Sequence, residues 1–308
     1  GLPVNIAVDI VAQPRLGKTF YPCSGHRLQP QPLVLIHGWG ADSQIWGDLP
    51  QQLSEWADVI TLDLPGFGAS EALQHYSADS MLQWMHRALP DQSLLLGLSL
   101  GGMLCHRYAA TYPQRVSGLI LLSSNRQFVA DAGYQSAMPQ ADFDGFLHSW
   151  QNDPNSCLKR FASLQAQGDR QQRQLIRQLR AMQVNMDPQA AEALLGLLGQ
   201  LNNHQQCPPL PSLSLFGGQD ALVPPEAARQ SANSVVIEGA AHLPHLSAPQ
   251  QVVDQIYGFL DRQRYQLDKP AVAESFGRAA SSYDESAKLQ HRIGEQLLSH
   301  RSSQTQPA

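Results

Sequence analysis

Gly97-Leu98-Ser99-Leu100-Gly101 fits the pattern G-x-S-x-G, and a further glycine, Gly102, follows it. Well downstream, Leu213-Ser214-Leu215-Phe216 leads into Gly217-Gly218-Gln219-Asp220, and Val235-Val236-Ile237 leads into Glu238-Gly239-Ala240-Ala241-His242. A serine hydroxyl becomes a good nucleophile only when a base takes its proton, and a histidine base needs a carboxylate to hold its tautomer. Ser99, His242 and Asp220 supply those three parts. Each has a plainer reading alone: a Gly/Ser turn, a surface histidine, a turn aspartate. His245 is the rival base, but Pro244 and the helix after it favour a supporting place. A serine of this kind also needs N–H donors for the oxyanion of the tetrahedral intermediate. His37-Gly38-Trp39-Gly40 offers the Trp39 N–H, and the residue after the nucleophile offers the Leu100 N–H. His37 is expected to buttress this turn, and Trp39 to form a pocket wall.

These residues need elements that bring them together. A short apolar run, Leu94 to Leu96, precedes the motif, and a helix is expected over residues 103–112, stopped by Pro113. Strand, sharp turn and helix are the setting in which G-x-S-x-G lifts a serine clear of a sheet. Buried strands are expected at residues 33–36, 59–62, 116–122, 213–216 and 235–237. Helices are expected at 45–56, 78–89 and 249–264. This alternation implies an α/β fold with a mostly parallel central sheet flanked by helices, with ligands at the carboxyl ends of the strands. Residues 4–11 alternate loosely, as an edge strand would. The stretch from there to Pro32 is rich in Pro and Gly and has no clear pattern. Asp63-Leu64-Pro65-Gly66-Phe67-Gly68 lacks the lysine and the spacing of a phosphate-cradling loop, so Asp63 is expected to order the loop.

From residue 125 to 206 strand patterns vanish, and the segment reads as a helical lid inserted between residues 1–124 and 207–265. Within it, Lys159, Arg160, Arg170, Arg173, Arg177 and Arg180 face a single acidic residue, Asp169, between residues 157 and 183. The 3-4-3 spacing of the last four arginines puts them on one helical face. Either this is a solvated face or it docks an acidic partner. Phe161-Ala162-Ser163-Leu164-Gln165 lies beside it and is expected to face the pocket below.

The chain has 308 residues and a net charge of −5, which suits one large domain with an insertion and argues against nucleic-acid binding. Cys23, Cys105, Cys157 and Cys207 are far apart, as expected of free thiols in a reducing compartment. Neither a signal peptide nor a membrane span is visible, so a cytoplasmic protein is expected, and a monomer. The histidines show no ligand spacing, so no metal and no cofactor is expected.

The motifs H-G-W-G, D-L-P-G-F-G-x-S, G-L-S-L-G-G, G-G-Q-D-A-L-V-P and G-A-A-H fall in the order of the α/β-hydrolase fold, over residues 33–263. More closely, the chain resembles the pimeloyl-[acyl-carrier protein] methyl ester esterases of biotin synthesis. The resemblance rests on Trp39 after His37-Gly38, on Ser99-Leu100-Gly101-Gly102, on R-F-x-x-L-Q at residues 160–165, and on D-x-L-V-P and A-A-H. Leu98 departs from the tryptophan expected before the nucleophile. The resemblance implies Ser99, Asp220 and His242 as the triad, with Trp39, Ser99, Leu100, His242 and residues 161–165 around the substrate. It implies an acyl carrier protein docked on Lys159 and the arginines. Residues 269–298 resemble the first helices of the malonyl-[acyl-carrier protein] O-methyltransferase of the same pathway. No glycine-rich S-adenosylmethionine motif follows, so residues 266–308 are expected to be a remnant without methyltransferase activity. A broad carboxylesterase on small esters, a carbon–carbon bond hydrolase and a non-catalytic binding protein remain the alternatives.

Overall fold

A computed structural model describes residues 13–276, and residues 265–276 through their backbone alone. The elements run β1 (Lys18–Tyr21), β2 (Leu33–Ile36), α1 (Leu49–Leu53), β3 (Val59–Leu62), α2 (Ala78–Ala88), β4 (Ser93–Leu98), α3 (Leu100–Thr111) and β5 (Val116–Leu122). Then come α4 (Gln140–Asn152), α5 (Pro154–Ala166), α6 (Gln172–Ala181) and α7 (Pro188–Gln200), before β6 (Ser212–Gly217), β7 (Ser234–Ile237), α8 (Pro244–Ser247) and α9 (Pro249–Phe276).

The strands form one seven-stranded sheet in the order β1-β3-β2-β4-β5-β6-β7. Every neighbouring pair is parallel except β1, which runs antiparallel to β3. β2, β3 and β4 are buried along their whole length, because helices cover both sheet faces. Alternate side chains divide between the two layers. Val34, Ile36, Ile60 and Leu62 join Met81 and Met85 of α2, Leu104 and Tyr108 of α3, and Leu194 of α7. Leu33, Leu35, Val59, Leu94 and Leu96 join Leu49 and Leu53 of α1 and Val252, Ile256 and Leu260 of α9.

The strand order places the functional stretches. From β2 the chain steps outward to β3, then returns across β2 to begin β4 on its other side. The carboxyl ends of β2 and β4 are therefore neighbours at a point where the winding reverses, the usual place for a ligand in such sheets. His37 to Gly40 leaves one of them and Ser99 leaves the other.

Three expectations differ from the structure. Residues 45–56 are not one helix: a 3-10 turn, Ser43–Trp46, gives way to α1 at Gly47, whose φ of 55° no right-handed helix continues. α9 does not stop at residue 264 but runs on to Phe276. β1 lies in the stretch that had no clear pattern. Its burial is almost wholly exposed, so no apolar run announced it. The expected strand at 4–11 and most of the methyltransferase-like segment lie outside the described residues. Among the described residues no helix is long and apolar enough to cross a membrane.

Candidate active site

Ser99 links β4 to α3 with φ 52° and ψ −113°, a conformation a side chain rarely adopts. The turn closes tightly only because its neighbours lack side chains. A Cβ on Gly101 would strike the carbonyls of Ile36 and His37, and one on Gly97 would strike the backbone of Gly101 and Gly102. The Ser99 N–H donates to the Leu122 carbonyl at 2.9 Å, and its own carbonyl accepts from Ser124 Oγ at 2.9 Å and from the Met103 N–H at 3.0 Å. α3 starts at Leu100, so the Leu100 N–H belongs to the unpaired first turn of a helix, where negative charge is favoured.

The turn after β2 lies against this elbow. A Cβ on Gly38 would come within 3.4 Å of the Ser99 Cβ and 3.9 Å of the Leu100 nitrogen. His37 holds the turn: its Nε2 accepts from the Leu64 N–H at 2.8 Å, and its Nδ1 bonds the Gly38 carbonyl at 2.7 Å. Burial lowers the pKa of His37, against the opposing pull of that carbonyl bond. Asp63 orders the neighbouring loop, taking Ser43 N–H and Oγ on one oxygen and the Ala69 N–H on the other.

Asp220 and His242 stand at the ends of β6 and β7. The buried pair bonds through His242 Nδ1 and Asp220 Oδ2 at 2.8 Å. Asp220 Oδ1 accepts from the N–H groups of Leu222 at 2.8 Å and Val223 at 3.0 Å. The carboxylate can only accept, so the imidazole carries its proton on Nδ1 and presents Nε2 as a base. The His242 loop is held by two further bonds, from Ser123 Oγ to the His242 carbonyl at 2.7 Å and from the His242 N–H to the Gln165 carbonyl at 3.1 Å.

α4 to α7 pack against these turns. Trp39 donates from Nε1 to the Ala191 carbonyl at 2.7 Å, and its ring meets Phe146, Trp150 and Phe161 edge-on at 5.2 to 5.6 Å. Phe161, Leu164 and Gln165 thus come to the site side of the insertion, Leu164 as a half-buried core neighbour. Ala162 and Ser163 are half-buried on α5, and the Ser163 hydroxyl bonds back to the Lys159 carbonyl at 3.3 Å. Lys159 and Arg160 are exposed on α5, and Arg173, Arg177 and Arg180 are exposed on α6. Arg170 does not share the helical face, because it precedes α6. Its N–H donates to the Gly239 carbonyl at 2.8 Å, and its guanidinium lies on Gly239 and reaches the Glu238 carbonyl at 3.5 Å. Ser123 and Ser124 were not singled out in the sequence, and Asp169 stood out there only as the lone acid of a basic stretch. Ser123, with φ 50°, sits at the end of a predicted strand, and that position was the one available signal.

His245 is not positioned as a base. Its Nε2 bonds the Ile45 carbonyl at 2.8 Å, and burial pushes its pKa down to about 4. The fold holds this imidazole neutral, whereas the unfolded chain protonates it near 6.5. Its share of stability is therefore full above about pH 6.5 and is lost as the pH falls toward 4, on the order of 3 kcal/mol. The melting temperature is expected to fall over that window, and to fall less steeply in His245→Gln. Equal slopes in the two proteins would remove His245 from the account. Cys105, in the helix after Ser99, is buried, and burial pushes its thiol pKa up, as for a packing residue. Among the described residues no group of three or more His, Cys, Asp or Glu side chains is arranged to hold a metal ion.

A family model described as alpha/beta hydrolase fold matches residues 31–249. The chain belongs to the alpha/beta-hydrolase fold family. The chain is 41% identical over 276 residues to the "Biotin biosynthesis bifunctional protein BioHC" of Cellvibrio japonicus, covering 87% of this chain and 55% of that one. It is 34% identical over 239 residues to the "Pimeloyl-[acyl-carrier protein] methyl ester esterase" of Serratia marcescens, covering 74% of this chain and 93% of that one. The chain spans about half the length of the bifunctional relatives it matches, 50% to 56%. Among solved structures, an esterase from Exiguobacterium antarcticum superposes with a TM-score of 0.67 at 20% identity, over 80% of this chain and 95% of that one. That likeness speaks for the fold alone.

Proposed function

We propose that the protein is a serine carboxylesterase that hydrolyses the methyl ester of a pimeloyl group carried on acyl carrier protein. The observation that carries the chemistry is the buried pair His242–Asp220 at the ends of β7 and β6, on the same sheet edge as β4, which is one strand removed from β6 and whose end holds Ser99 in a strained elbow. The substrate is supported by the names of the relatives, and by the exposed cations on α5 and α6.

In the proposed reaction Ser99 Oγ attacks the ester carbonyl and gives its proton to His242 Nε2. The N–H groups of Trp39 and Leu100 hold the oxyanion, and Asp220 stabilises the imidazolium. Collapse breaks the bond to the methoxy oxygen, which leaves as methanol with the proton from His242. Water, deprotonated by His242, then adds to the acyl-enzyme and releases the free acid and Ser99. α4 to α7 act as the lid, with Trp39, Phe161 and Leu164 lining the path of the acyl chain and the carrier docked on Lys159, Arg160, Arg173, Arg177 and Arg180. Arg170 holds the His242 loop rather than the carrier. Residues 266–308 are read as kin to the start of the methyltransferase. In keeping with this, the bifunctional relatives align with 86% to 96% of this chain and the esterases with 74% to 75%.

Charge reversal tests the docking. Arg173→Glu with Arg177→Glu is expected to lower kcat/KM for the carrier-bound ester by roughly ten- to a hundredfold, more at low salt, and to leave p-nitrophenyl butyrate within about twofold. Equal effects on both substrates, or none on either, would make the cationic face a solvated surface of a broad esterase.

A further inference from the structure

The turn between α5 and α6 reaches both loops of the Asp220–His242 pair. Asp169, in that turn, is 6% exposed and has no cation among its bonded partners. Its Oδ2 accepts from the Ala241 N–H at 2.8 Å and from Ser247 Oγ at 2.7 Å, and its Oδ1 accepts from the Gln171 N–H at 2.8 Å. Ala241 is the residue before His242, and Ser247 ends the short helix after it. One carboxylate therefore grips the histidine loop on both sides of the imidazole. Next to it, the Arg170 N–H binds the Gly239 carbonyl and the Gln165 carbonyl binds the His242 N–H. Gly168, with φ 82°, gives the turn its left-handed step, and the turn lies against the other loop, a Cβ on Gly168 falling in ordinary contact with Gln219, beside Asp220.

A buried carboxylate is tolerated when N–H and O–H dipoles replace its water, and such charge-assisted bonds are short and directional. A turn needing only closure would not require one here, because its backbone already closes through the Asp169 N–H to Ala166 and the Gln172 N–H to Asp169. We propose that Asp169 is a positioning residue that fixes the His242 loop to the helical insertion, so that the seat of α6 sets the aim of the base. The α6 helix that begins at this turn also bears Arg173, Arg177 and Arg180, which makes Asp169 the mechanical link from the cationic face to the catalytic histidine. This rests on the serine-esterase reading, and its test uses a small ester so that carrier docking plays no part.

The test is turnover of p-nitrophenyl butyrate by the full chain, normalised to the serines labelled at completion by a fluorophosphonate. In Asp169→Ala, kcat per labelled serine is expected to fall about ten- to a hundredfold with KM within about twofold, as for a misaimed base. Asp169→Asn, which keeps one acceptor oxygen, should recover part of that loss. If Asp169 serves stability alone, the melting temperature drops while kcat per labelled serine is unchanged, and that result overturns the proposal. A rise in KM with kcat unchanged overturns it too. Should Asp169→Ala fail to fold, Ser247→Ala and Asp169→Asn are read by the same criterion, with a several-fold fall expected and unchanged values overturning it. Wild-type turnover that survives Ser99→Ala overturns the esterase reading itself, and with it this role.

Discussion

Replacing Ser99 by alanine is expected to lower kcat for any ester by roughly 10⁴-fold or more, with KM little changed. The size follows from what is removed. Without the hydroxyl there is no acyl-enzyme, and His242 is left to activate water against a carbonyl it was not placed to serve. The residual rate comes from the oxyanion donors and from binding alone. Alanine at this position keeps the backbone path, and the bonds that define the elbow are made by main chain: Ser99 N–H to Leu122, Ser99 carbonyl to Ser124 and Met103. The variant should therefore fold with an unchanged far-ultraviolet spectrum. Fluorophosphonate labelling should vanish with activity. Persistent labelling in Ser99→Ala would place the nucleophile elsewhere.

Asp220→Asn is expected to cost about 10³- to 10⁴-fold in kcat with little loss of stability. Asp220 Oδ1 already takes two backbone N–H groups, from Leu222 and Val223, so only an oxygen suits that side. The new amide nitrogen must then face His242 Nδ1. It can only donate, which forces the imidazole proton onto Nε2. A histidine in that tautomer cannot take the proton of Ser99. The loss should be largest near neutral pH and should shrink in alkaline solution, where hydroxide replaces the missing base. A variant within tenfold of wild type at pH 7 would show that Asp220 does not set the tautomer.

How much of this was legible in the sequence depends on how local each signal was. The strands at β2, β3, β4 and β5 announce themselves as largely apolar runs, interrupted by only one or two small or polar residues such as Thr61 and Ser117, because helices bury both sheet faces. Ser99, Asp220 and His242 are legible because each follows such a run, and strand ends are where parallel sheets place their ligands. β1 was illegible because an exposed edge strand has no apolar pattern. The break at Gly47 was hidden because the apolar residues Ile45, Trp46, Leu49 and Leu53 all pack on one layer, as one helix would allow, while a single positive φ divides them. Asp169 looked like the lone acid in a basic stretch. Its bonds to Ala241 and Ser247 join residues more than seventy positions away, which no local pattern reveals. Arg170 fits the helical spacing of its neighbours, yet the turn it occupies turns it toward Gly239.

The proposed activity is tested most directly by one comparison: kcat/KM for pimeloyl-acyl carrier protein methyl ester against kcat/KM for p-nitrophenyl butyrate, with Ser99→Ala as the blank. Carrier contacts remote from the scissile bond contribute binding energy that a short ester cannot make, so a preference of about a hundredfold or more for the carrier-bound ester is predicted. Fast butyrate hydrolysis with negligible turnover of the carrier-bound ester would contradict the account, and would leave a general esterase whose cationic helices face only solvent.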